Sequence, residues 1–112
     1  MNVSFEEIGA LVVTVPAGTC GENTLCKIGI AGKADSCVSS DRFCGVAYGI
    51  RGQAAAVQIR GMITVPYSGT APKPGFSKLC ADGTGGVKVS EAGESYLTLA
   101  VDTAAKTVTI NL

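Results

Sequence analysis

The stretch Ala54-Ala55-Ala56-Val57-Gln58-Ile59-Arg60-Gly61-Met62-Ile63-Thr64-Val65-Pro66 decides the fold class. Ala55, Val57, Ile59, Gly61, Ile63 and Val65 fall on one side of a period-two pattern, and Ala56, Gln58, Arg60, Met62 and Thr64 on the other. Successive side chains of a strand point to opposite faces, so this run predicts the longest strand of the chain, half buried along its length. Gly61 in its middle predicts a bulge, or a bend in a curled sheet.

The same period recurs outward in both directions. From Phe43 to Ile50, Cys44, Val46, Tyr48 and Ile50 share one face. Gly45, Ala47 and Gly49 share the other, small enough for another layer or subunit to come close. Leu11, Val13 and Val15 predict a first strand ended by Pro16-Ala17-Gly18. Cys26, Ile28 and Ile30 share a face of the next, and Ala31-Gly32-Lys33 turns into a strand over Lys33 to Val38. Downstream, Lys78 to Ala81 and Val87 to Val89 flank Asp82-Gly83-Thr84-Gly85-Gly86, a hairpin connection. A closing hairpin runs Tyr96 to Val101 and returns along Thr107 to Leu112, with Leu97, Leu99, Val101, Val108, Ile110 and Leu112 turned inward. No segment shows sustained helical spacing with caps. The expectation is an all-β fold: one domain over residues 1–112, a small barrel or sandwich of about eight or nine short, mostly antiparallel strands.

Two segments stand outside this pattern. Residues 1–9 read as an N-terminal arm, because Glu6-Glu7-Ile8-Gly9 is neither a clean strand nor a capped helix. Residues 66–75 hold three of the four prolines, and proline has no amide hydrogen for a ladder, so they read as a surface loop. Tyr67 and Phe76 bracket this loop, and aromatic rings beside rigid prolines dock with little loss of entropy. Phe5, Ile8, Tyr67, Pro72, Pro74 and Phe76 are therefore the candidate interface residues. The competing reading is that the two rings cover an open end of the barrel.

Composition narrows the function. Hydrophobic residues make up 46% of the chain and charged ones 16%, which excludes a disordered polyelectrolyte. Nine basic residues balance nine acidic ones, so nucleic acid and anionic membranes are not expected partners. Scattered Lys and Arg with Phe43, Tyr48, Tyr67 and Phe76 leave a ligand- or nucleic-acid-binding barrel as an alternative. With no histidine, His-dependent triads and imidazole acid–base chemistry are excluded. Gly83-Thr84-Gly85-Gly86 lacks the Lys-Ser/Thr of a phosphate cradle. Glu6-Glu7 and Glu91/Glu94 sit in polar, turn-like surroundings and read as solvated. Cys20, Cys26, Cys37 and Cys44 invite a zinc reading, but no C-x2-C knuckle pairs them. The five cysteines, an odd number without a basic leader before them, read as reduced thiols serving as small hydrophobes. The apolar run Leu11 to Val15 is too short to cross a bilayer. The expectation is a non-enzyme made in a cytoplasm, with no cofactor, no catalytic residue and no metal.

At Phe43-Cys44-Gly45-Val46-Ala47, followed by Ala56 to Pro66, the chain resembles the small capsid decoration (cement) proteins of tailed phages and prophages. Those often show an FxGVA-like strand followed by a VxVxGxxxVP-like one. The Gly-rich Ala81 to Val87 and the closing Val108-Thr109-Ile110 suit the same pattern. The resemblance implies a virion protein on the outer face of an expanded capsid, partnered by the major capsid protein and often assembled as a homo-oligomer such as a trimer. It carries over no catalytic residue, and it leaves the five cysteines without a role. Another virion subunit, of the tail tube or the head–tail joint, is the alternative in the same class.

Overall fold

A computed structural model describes residues 9–112 of the chain. Ten strands occur there: β1 (Leu11–Pro16), β2 (Thr24–Ile28), β3 (Ala34–Ser36), β4 (Gly45–Arg51), β5 (Ala54–Arg60), β6 (Met62–Ser68), β7 (Gly75–Ala81), β8 (Val87–Val89), β9 (Glu94–Asp102) and β10 (Thr107–Asn111). No helix is present among the described residues. The fold is a small all-β structure, as the alternation required.

The strands form two units. β10-β6-β8-β7-β9 make a closed barrel, with β9 and β10 completing the ring. All its pairs are antiparallel except β6 with β8, which is parallel. β1-β5-β4-β2-β3 make a second sheet that rolls on itself. Its two edges meet at one point, where Ala17 bridges Ala34 and the Ala34 carbonyl accepts from the amides of Gly18 (3.0 Å) and Cys20 (3.2 Å).

The long run read as one strand is two, one in each unit. Gly61 has a φ of +96°, a conformation that L side chains rarely adopt, and there the chain leaves the rolled sheet for the barrel. Gln58, buried in the corner, ties it by donating from Nε2 to the carbonyls of Arg60 (2.8 Å) and Met62 (3.3 Å). Leu112 closes the other side, its amide donating to the Gly61 carbonyl (2.9 Å).

The barrel core contains Ile63, Val65, Tyr67, Leu79, Val87, Val108 and Ile110. Leu25, Cys37, Phe43 and Val46 reach into it from the other unit and join the two. The rolled sheet has its own interior of Cys20, Cys26, Ala34, Ala47, Ala55 and Val57. Leu25 and Cys26, neighbours on β2, therefore serve different cores, as alternation demands.

Several expectations about facing are corrected. Between Ala47 and Gly49 the pairing with β5 slips by one residue, so Tyr48 is bulged out and 46% exposed instead of facing the core. A similar slip in β9 opposite Thr109/Ile110 gives the barrel core Tyr96 and Val101, not Leu97 and Leu99. The close approach expected along Gly45, Ala47 and Gly49 occurs at Gly45, and it comes from the neighbouring strand. A Cβ there would collide with the Gln58 carbonyl, while one at Gly49 would meet nothing within 4 Å.

The Pro-rich segment is also corrected. β6 continues through Pro66 and Tyr67 to Ser68, so the connection to β7 begins at Gly69. Pro66 faces Thr107 of β10, one residue before pairing with β8 begins at Tyr67↔Val87. On that side the ladder makes no demand on its missing amide hydrogen.

Candidate functional site

The six candidate interface residues divide. Phe5 and Ile8 lie outside the described residues, as does all of the arm except Gly9, an exposed turn residue. Tyr67 is only 7% exposed, because the alternation Ile63, Val65, Tyr67 carries past Pro66 and places the ring in the barrel core. Tyr67 is therefore a core residue and not a docking anchor. Pro72 is buried too, leaving Pro74 and Phe76 at the surface.

Phe76 is the outstanding feature. Its ring is 77% exposed although it stands on β7, opposite Leu97 of β9. The backbone there is pinned on one side by the β9 ladder. On the other, the Ser77 hydroxyl donates to the Lys73 carbonyl (2.8 Å) and closes the loop back on the strand. A large apolar ring on a fixed backbone can be covered by a partner at small entropic cost.

A second exposed apolar residue was not visible in the sequence. Ile30 was in phase with Cys26 and Ile28, but β2 ends at Ile28. The Gly32 amide then donates to the Gly29 carbonyl (2.9 Å), and that of Gly29 to Lys33 (3.1 Å), so Ile30 stands fully exposed at a turn tip. The two glycines flanking Ile30-Ala31 were the signal that a turn displaces the strand period here. Val38, also exposed, sits in a loop held by Asp41, whose carboxylate accepts from the Val38 amide (2.9 Å) and pairs with Lys27 (2.6 Å).

A cleft of about 460 Å³ opens at the junction of the two units, lined among others by Lys27, Arg42, Phe43, Cys44, Tyr96 and Leu112. Phe43 and Tyr96 stack across that junction, with ring centroids 4.9 Å apart and planes within 15°. Arg42 approaches Glu94 at 3.9 Å, both well exposed, a pairing of little energetic weight. Cys44 is the one cysteine of the five that is not fully buried.

Sequence spacing could not show which cysteines meet. Cys26 pairs in register with Gly45, and its carbonyl also accepts from the Cys44 amide (2.9 Å). The Cys44 backbone thus lies beside Cys26, although the next residue, Gly45, holds the register position. Hydrogen bonding to Cys26 lowers Cys44 to about 7 against the opposing effect of burial, with the amides of Cys44 and Ile28 adding to it. The same bond, with burial, pushes Cys26 far up. Burial alone is the main cause that raises Cys37 to about 11. Among the described residues, no three His, Cys, Asp or Glu side chains converge in a way that would hold a metal, so the four upstream cysteines do not gather as a zinc site would require.

No protein-family model, curated protein or solved structure matches this chain.

Proposed function

We propose that this chain is a non-enzymatic virion structural protein that binds the outer face of a phage capsid and stabilises the head. The observation that carries the reading is Phe76, a large apolar ring left in solvent on a rigid strand. Single exposed apolar residues are common, but an aromatic ring whose backbone is tied by ladder and loop is the type that anchors interfaces. Ile30, at the tip of a tight turn, is a second anchor of the same kind. The strand pattern of Phe43 to Ala47 and Ala56 to Pro66, similar to decoration proteins, supports the same reading.

The partner is the major capsid protein, and the working form is a homo-oligomer, a trimer where three capsid subunits meet. The closed barrel contributes no free strand edge, so unspecific edge pairing is limited to β1 and β3 of the rolled sheet. Modest affinity per site is then multiplied over a lattice. Phe76→Ser, with Ile30→Ser as a second variant, should weaken binding to expanded shells about tenfold or more while leaving the melting temperature unchanged. Full binding by the folded double variant would overturn the assignment of these anchors. Rings or tubes formed by the purified protein without shells, seen by electron microscopy, would point to a tail subunit instead.

A further inference from the structure

We propose that Cys44 and Cys26 are a reversible dithiol–disulfide site: Cys44 attacks a small, carboxylate-bearing disulfide of the glutathione class in the junction cleft, and Cys26 resolves the product. Four features of the geometry point to this site. Cys44 is half buried and lines the cleft, whereas Cys20, Cys26, Cys37 and Cys80 are enclosed. The Cys44 amide donates to the Cys26 carbonyl (2.9 Å), which brings the two residues side by side across the β2–β4 pairing. Directly opposed strand residues lie about 5.5 Å apart between Cα atoms, and Cys44 adjoins Gly45, the residue opposed to Cys26, which places it near the span of about 4.4–6.8 Å that a disulfide bridges. Lys27, paired with Asp41, and Arg42, near Glu94, line the same cleft and bring cationic groups to the carboxylates of such a ligand.

The chemistry balances without any other reagent. The Cys44 thiolate attacks one sulfur of the disulfide RSSR. A Cys44–S–S–R bond forms, the RS–SR bond breaks, and the departing thiolate takes a proton from solvent. The Cys44 thiolate, whose hydrogen bond held the Cys26 proton in place, no longer exists at that stage, so the largest cause that raises Cys26 is gone and chiefly burial still opposes its ionisation. Its sulfur then attacks Cys44, forming the Cys26–Cys44 bond and expelling the second RS⁻, which takes up the proton Cys26 lost. Two protein thiols are oxidised by two electrons, and RSSR is reduced to two RSH. Excess free thiol reverses both steps. The product cross-links β2 to the start of β4 beside the cleft.

The test uses the whole chain, oxidised glutathione and peptide mapping by mass spectrometry. The wild-type protein should yield a Cys26–Cys44 cross-link and a melting temperature raised by about 5 °C or more. Cys26→Ser should stop at a single glutathionyl group on Cys44, and Cys44→Ser should lose the reaction at both positions. Should either variant misfold, a short pulse of iodoacetamide on the wild-type protein decides the matter, with Cys44 labelled at least about tenfold faster than the other four. Preferential reaction at Cys20, Cys37 or Cys80, or an unimpaired reaction in folded Cys44→Ser, would overturn the proposal.

Discussion

The closed barrel and the rolled sheet each use five strands, yet they fill their interiors with different side chains. Inside the barrel lie branched aliphatics, Ile63, Val65, Leu79, Val87, Val108 and Ile110, with the rings of Tyr67, Phe43 and Tyr96. Inside the rolled sheet lie two cysteines and three alanines around Val57. Hydrophobic stabilisation grows with the apolar area removed from water, so the barrel carries most of it. The rolled sheet buries less and keeps two edges joined only through residues 17–20 and β3. Its smaller buried area makes it the unit expected to open first.

Truncations measure that difference most directly. Ile110→Ala, at a barrel position with no exposure, should cost about 4 kcal/mol, whereas Val57→Ala in the rolled sheet should cost about 2 kcal/mol, both read from urea denaturation. Equal losses would remove the distinction between the two units. Gly45→Ala comes next and breaks the rolled sheet by the opposite route. A methyl group there meets the Gln58 carbonyl, a backbone atom that cannot yield cheaply, and the expected loss is about 3 kcal/mol. A neutral result would show that β4 and β5 are further apart than described.

Smaller changes sharpen the contrast. Thr98, buried on β9, has a hydroxyl with no hydrogen-bond partner among the described residues. Thr98→Val should therefore raise stability by about 1 kcal/mol, visible as a higher melting temperature. Acid should act more weakly still. The Lys27 ammonium and the Val38 amide hold Asp41 below the ordinary carboxylate range. Asp82 is also lowered, because bonds from Ser68, Thr84 and Gly86 outweigh the upward push of burial. For both, the folded value is the depressed one, so the stabilisation is present above the ordinary carboxylate value and lost as pH falls through the lowered one. Urea midpoints should fall between about pH 5 and pH 2, and less so in Asp82→Asn.

The sequence made the fold class legible because period-two alternation survives wherever pairing is regular, as in Ile63, Val65 and Tyr67 or in Val108 and Ile110. It misled where a ladder slips. Tyr48 and Leu99 sit at bulges, and one extra residue reverses the facing of every later side chain on the strand. Pro66 concealed the end of β6, because a missing amide hydrogen matters only where a partner asks for it. Of the candidate site, Phe76 was legible from its place beside the prolines, while Ile30 was concealed by a strand period that its turn cuts short. The meeting of Cys26 and Cys44 depends on register between distant segments, which spacing along the chain does not encode.

If this protein works as proposed, its outer surface covers a capsid. The direct measurement is co-sedimentation of the purified wild-type chain with shells of the major capsid protein encoded in the same genome, before and after expansion. The protein should pellet with expanded shells at a fixed number of copies per capsid subunit and remain in the supernatant with unexpanded ones. Failure to bind either form, at concentrations where the protein is folded, would contradict the assignment.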